Sequence, residues 1–196
     1  KGRITVEALA ADSREAHRFI HRCDALGLLG TEEAAGVLAA MLGHASRYVR
    51  GRAAVNLLRV SDRPYHVDRV VWVAHNDPAD FARVKACEAL ARHGRHLYGR
   101  RLAAAFNDGL YDPFDRAAAV ESLGLLGDVS ALTILQHHSK QDDPYVRLCA
   151  VEALERLGTP AALAAAGERA GDEDLRVRMQ VAKAMAANGR GGSNGQ

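Results

Sequence analysis

The sequence predicts an all-α chain wound as a right-handed solenoid of about six helical pairs. Three observations carry this prediction. A thirteen-residue pattern recurs six times at nearly constant spacing, each copy collects its apolar residues on one face of a helix, and the composition is 48% hydrophobic but only 5% aromatic. Small side chains let helices approach closely, as stacked helical pairs require.

The clearest copy is Val146–Gly158, VRLCAVEALERLG. Aligned with it are Arg18–Gly30, Val49–Ser61, Ala82–Gly94, Asp115–Gly127 and Val177–Gly189. The closing positions 30, 61, 94, 127, 158 and 189 are separated by 31, 33, 33, 31 and 31 residues. In the template, Val146, Ala150, Ala153, Leu154 and Leu157 fall on one stripe of a helix of period 3.6. A closing Gly, present in five of the six copies, supplies the left-handed conformation that ends a helix. Asp77-Pro78, Asp112-Pro113 and Asp143-Pro144 read as helix starts, since Asp caps free N–H groups and Pro tolerates the first helical position. Thr159-Pro160 does the same for a partner helix.

Partner helices are predicted near 31–42, 64–75, 96–107, 129–139 and 160–170, with a short first helix near 4–11. The array therefore occupies residues 1–188, and the Gly-rich stretch Gly189–Gln196 is expected to be a disordered tail. No stretch alternates with the period of a strand. A helical pair cannot bury its apolar face alone, so successive pairs must stack.

The motif at Asp143–Gly158, D-P-x-V-R-x-x-A-V-E-A-L-x-x-L-G, resembles the HEAT-like repeats also found in phycobilisome lyases. The resemblance covers the chain apart from its tail. It implies a binding scaffold in which second helices line a concave face where partners are held. Fold alone does not specify the partner.

Composition narrows the rest. The 26 basic residues nearly balance the 24 acidic ones, for a net charge of +2, which excludes a highly charged disordered chain and an extreme polyanion binder. No apolar run approaches the roughly 18–20 residues of a membrane span. Cys23, Cys87 and Cys149 are too few and too dispersed for a disulfide scaffold or a paired-cysteine zinc site, so a reducing, cytoplasmic compartment is expected. The chain starts at Lys1 with neither Met nor a signal-like segment, as expected of a piece of a longer chain.

The repeat columns supply the candidate site. Arg50, Arg83, Arg116, Arg147 and Arg178 share one column, and such regular recurrence predicts a structural role, paired with acids such as Asp112, Asp143 or Asp174. Opposite the apolar stripe, Arg52, Arg59, Lys85 and Arg92 fall in two outward columns and predict a concave basic patch. Arg95, His96, Arg100 and Arg101 form a second basic cluster. Residues 44–101 hold 12 basic and 5 acidic residues, and also His44, His66, His75, His93 and His96. Such a surface suits an acidic protein partner; a phosphate backbone is the alternative.

Other chemistry lacks its full residue pattern. His17, His21 and Asp24 share a helical face at metal-ligand spacing, but no HExxH pattern accompanies them, and a terminal-repeat cap explains them as well. His137-His138 point apart, and His93 and His96 straddle a helix end. Deoxyhypusine hydroxylase also has HEAT-like repeats but uses His-Glu pairs, none of which occurs here. Alkylpurine DNA glycosylases of this type use an aromatic and acidic cleft, whereas Trp72 reads as core. Cys23 and Cys87 occupy an interior column, and Cys149 an outward one. The expectation is a non-catalytic protein-binding scaffold with no cofactor and no metal. Nucleic-acid binding comes second and phycobilin-lyase-like activity third.

Overall fold

The computed structural model describes residues 6–105 and 112–191, with side-chain surroundings for 17–104 and 112–187. The described residues form α-helices and one short 3₁₀ turn, with no strand among them. The chain divides between Tyr98 and Gly99 into two compact units. The first holds α1 (Val6–Leu29), α2 (Glu32–Met41), α3 (Arg47–Val60), α4 (Pro64–Asn76) and α5 (Asp80–Arg92). The division falls within α6 (Leu97–Ala105). The second unit holds α7 (Pro113–Leu126), α8 (Leu132–His138), α9 (Pro144–Leu157), α10 (Pro160–Gly167) and α11 (Leu175–Gly191).

Each unit is a two-layer stack of the α-solenoid type. In the first, α3 packs between α1 and α5, while α2 covers α1 and α3, and α4 covers α3 and α5. In the second, α9 packs against α7 and α11, with α8 and α10 laid over it. The core is what the apolar stripes predict. Val49, Leu57, Val70 and Leu90 are fully buried in the first unit, and Val120, Leu135, Val146 and Leu154 in the second. Burying each such side chain contributes roughly 1.5–3 kcal/mol.

Local signals set most boundaries. Asp143 accepts hydrogen bonds from the backbone N–H groups of Tyr145 and Val146, and Asp112 from that of Phe114. Thr31 and Thr159 cap α2 and α10 in the same way. Gly30, Gly94, Gly127 and Gly158 have φ between 63° and 86°, the left-handed region that turns the chain out of its helix.

Several expectations are corrected. The predicted short helix near 4–11 and the following second helix are one continuous α1, because residues 11–17 contain neither Gly nor Pro to break it. Gly189 does not close its helix: α11 runs on to Gly191, and residues 192–196 lie outside the described ones. Asp77-Pro78 do not start α5, which begins at Asp80. Trp72 is 59% exposed rather than core. The buried stripe of α4 is Val67, Val70, Val73 and Ala74, and residue 72 falls off that stripe on a 3.6 period. Cys149 is buried rather than outward. Its thiol is pushed up to about 11, first by burial and then by the charges of Glu152 and Glu121.

Candidate functional site

The second helices of the first unit frame a groove of about 590 Å³, a size usual for ligand clefts. Its walls carry Asp24 from α1, Arg52 and Arg59 from α3, and Arg92 and His93 at the end of α5; Val55, Asn56, Leu58 and Ala89 complete the lining. Arg52, Val55, Asn56 and Arg59 are spaced i, i+3, i+4 and i+7, so the periodicity of α3 turns all four to one side. The groove thus brings together three of the four cations expected there.

The fourth, Lys85, is a correction. It is buried, at 8% exposure, and its Nζ donates to Glu88 Oε2 at 3.0 Å. The cause is the close crossing of α3 and α5. A Cβ placed on Gly51 would lie 3.1 Å from Lys85 Cβ and 3.0 Å from the Phe81 ring. The missing side chain at Gly51 lets α5 approach, and Lys85 is packed beneath the surface.

Carboxylates interleave the cations. Arg52 grips Asp24 with two bonds, Nε to Oδ1 at 2.5 Å and Nη2 to Oδ2 at 2.9 Å. Buried Asn56 donates to the same Oδ1 at 3.1 Å. Burial alone would raise the Asp24 pKa, but the bonds from Arg52 and Asn56 outweigh it and hold the carboxyl below its ordinary value. Glu88, only 2% exposed, accepts from both Lys85 and Arg92, the latter at 3.2 Å. Arg59 is exposed and has no carboxylate partner among the described residues.

This pattern has a sequence signal that the cation columns alone do not reveal. Asp24, Val55, Glu88, Glu121, Glu152 and Lys183 occupy one repeat column, between the two basic ones. Within a helix this column meets its basic neighbours at i,i+3 and i,i+4, as Lys85–Glu88 and Glu88–Arg92 do. In the repeat of α3 the acid is replaced by Val55.

The other basic cluster does not join the groove. Arg95 and His96 are exposed ahead of α6, Arg100 and Arg101 are exposed on it, and none lines the cleft.

The arginine column makes contacts of a different kind. Arg50 Nη1 donates to the carbonyls of His44 and Ala45, while its Nε and Nη2 clasp Asp77 at 2.6 and 2.7 Å. Arg147 repeats this one unit later, donating to the carbonyls of Gln141 and Asp142 and clasping Asp172 at 3.0 and 2.9 Å. Arg178 bonds the carbonyls of Asp172 and Glu173, and Arg83 that of Asp77 along with the Asp80 side chain. The charge of Arg116 stands near the His138 ring, which is held at about 4 first by burial and then by the charges of His137 and Arg116. Asp77 and Asp172, each six residues before the next arginine of the column, are the acids clasped by Arg50 and Arg147, with Asp80 added on Arg83 and Glu173 on Arg147. Asp112 and Asp143 are occupied as helix caps, and Asp174 pairs with Arg176.

The His17, His21 and Asp24 trio is also accounted for. His17 and His21 hydrogen bond to each other at 2.9 Å, and Asp24 turns to Arg52. Among the described residues, no group of three or more His, Cys, Asp or Glu is placed to hold a metal ion. None of the described helices is long and apolar enough to cross a membrane.

Residues 138–192 match the family model for HEAT repeats. The motif at Asp143–Gly158 lies within this match, which names HEAT repeats and not the phycobilisome-lyase type. Among solved structures, human deoxyhypusine hydroxylase in complex with glycerol is similar at 20% identity and a TM-score of 0.40, over 87% of this chain and 79% of that one. No curated protein matches the chain.

Proposed function

We propose that this chain is a non-catalytic protein-binding module whose first unit holds an acidic segment of a partner protein in the groove between α1, α3 and α5. The observation that carries the reading is the convergence of Arg52, Arg59 and Arg92, from two helices, on one cleft floored by Val55, Leu58 and Ala89. A rigid stack supplies these cations already positioned, so little ordering is needed on binding. Their charge speeds encounter with an acidic surface, and the apolar floor supplies contact area.

A binding role also fits the ionisable groups. Asp24 on the wall and Glu88 beneath it are committed to ion pairs, and among the described residues the remaining ionisable lining is Arg52, Arg59, Arg92 and His93, with no Ser, Thr, Cys or Lys. The nucleic-acid alternative has the basic segment 44–101 in its favour. Asp24 on the groove wall counts against it, because it would face a phosphate chain with like charge.

Charge reversal of Arg52, Arg59 and Arg92 together tests the reading. The triple variant is expected to lose the partner that the unchanged chain retains during affinity purification from its native cell. Retention of the same partner by the triple variant would move the binding surface elsewhere.

A further inference from the structure

We infer that Arg59 is the docking point of the groove for a single side-chain carboxylate, carried beside an apolar side chain in the partner's segment, and that Val55 is the residue that leaves it open. This rests on the groove reading above and names the chemistry of its ligand.

The argument begins with the repeat column Asp24, Val55, Glu88, Glu121, Glu152 and Lys183. Where an acid stands in this column beside the groove, it occupies the neighbouring arginine. Glu88 accepts from Arg92 four residues on, and Asp24 reaches across to Arg52. At residue 55 the acid is missing. Arg59, four residues further along α3, is therefore deprived of the intrahelical partner that Arg92 has. No other described carboxylate pairs with it. An exposed guanidinium presents a planar fork that fits one carboxylate with two parallel hydrogen bonds. The half-buried Val55 one turn back and Leu58 beside it offer an apolar contact next to that fork.

Selectivity follows from the same layout. A phosphate chain needs several open cations in succession and gains affinity by releasing counterions from each neutralised phosphate. Here the flanking arginines already face carboxylates, and Asp24 adds a negative charge to the wall. One carboxylate with an apolar neighbour satisfies the site, whereas a run of phosphates meets Asp24.

The test uses the full chain, labelled with heavy nitrogen and followed by NMR. The probes are a short Gly-Ser peptide carrying one Glu-Leu pair, its Gln-Leu counterpart, and a short oligothymidylate. The expected result is saturable shifts at α3 and α5 groove residues with the Glu-Leu peptide, and binding weakened about tenfold or more with Gln-Leu, as for loss of a charge-assisted pair. Val55→Glu restores the missing acid and should weaken Glu-Leu binding as much as Arg59→Gln does. Val55→Thr, similar in shape and uncharged, should keep most of it, and circular dichroism identifies any variant that fails to fold. Unchanged binding by both folded Val55→Glu and Arg59→Gln would overturn the inference. If charge reversal of Arg52 and Arg92 still abolished binding in that case, the groove reading would survive without it. Oligothymidylate binding in the groove more tightly than the Glu-Leu peptide would overturn both.

Discussion

Arg147 and Arg59 do opposite work in this chain, and burial separates them. Arg147 and Asp172 are each nearly withdrawn from water, with side-chain exposures of 6% and 2%. Two charges in such a place are tolerated only because the five guanidinium protons of Arg147 and both carboxylate oxygens of Asp172 are directed at partners. Arg59 keeps its guanidinium in water and has nothing of the kind. Arg147→Ala should therefore destabilise the protein by about 3–5 kcal/mol, the range for breaking one side of a buried pair. Urea unfolding measures it. The pH dependence has a defined sign. Burial pushes the Asp172 carboxyl up, but the bonds from Arg147 and the Asp174 N–H hold it below its ordinary 3.8. A depressed folded pKa gives stability that is complete above the unfolded value and is lost as pH falls through the folded one. Asp77, held down by Arg50 against the same effect of burial, adds a loss of the same sign. Stability should accordingly fall below about pH 4, and Arg147→Ala should show a shallower fall.

At the scale of elements, successive second helices approach through chosen small residues. A Cβ on Gly124 of α7 would stand 2.5 Å from the Ala153 Cβ and 2.7 Å from its Cα on α9. The Cα cannot swing aside, so the helices would have to separate. Gly27 occupies the same column and is filled by Asn56 of the next repeat, the residue aligned with Ala153. The column is thus a contact between neighbours, with its space taken up differently in each unit. Gly124→Val should cost about 1–3 kcal/mol, as overpacking in a tight core does, even though Val would otherwise be no worse than Gly within a helix. Thermal unfolding checks it, with Gly36→Ala as the contrast. No atom lies within 4 Å of a Cβ there, so that variant should hold or gain stability.

At the scale of the whole molecule, the described core seals all three cysteines, with Cys23, Cys87 and Cys149 exposed by only 0%, 4% and 8%. Burial comes first among the causes that push both Cys23 and Cys149 thiols up to about 11. A thiol in that condition is a weak nucleophile. Iodoacetamide at neutral pH should leave the folded protein unlabelled and modify all three thiols once denaturant unfolds it; rapid labelling of the folded chain would show that the stacks open readily. Much of this architecture was legible in one dimension. The repeat spacing, the apolar stripes, the caps at Asp112, Asp143 and Thr159 and four of the closing glycines are local properties, and hydrophobic periodicity with capping chemistry is enough to place most helices. So were Arg52, Arg59 and Arg92 as one set, because i,i+7 spacing turns two residues to the same side of a helix. What the sequence could not decide was depth. Lys85 and Cys149 fall in the same outward columns as the groove arginines, yet both are buried, because the distance between neighbouring helices depends on residues elsewhere, such as Gly51. Trp72 is exposed for the converse reason, since the packed stripe of α4 passes it by. The one-dimensional pattern therefore determined which residues share a face; only the tertiary structure decided which faces meet another helix and which meet water, because burial depends on the approach of two segments rather than on the periodicity of one.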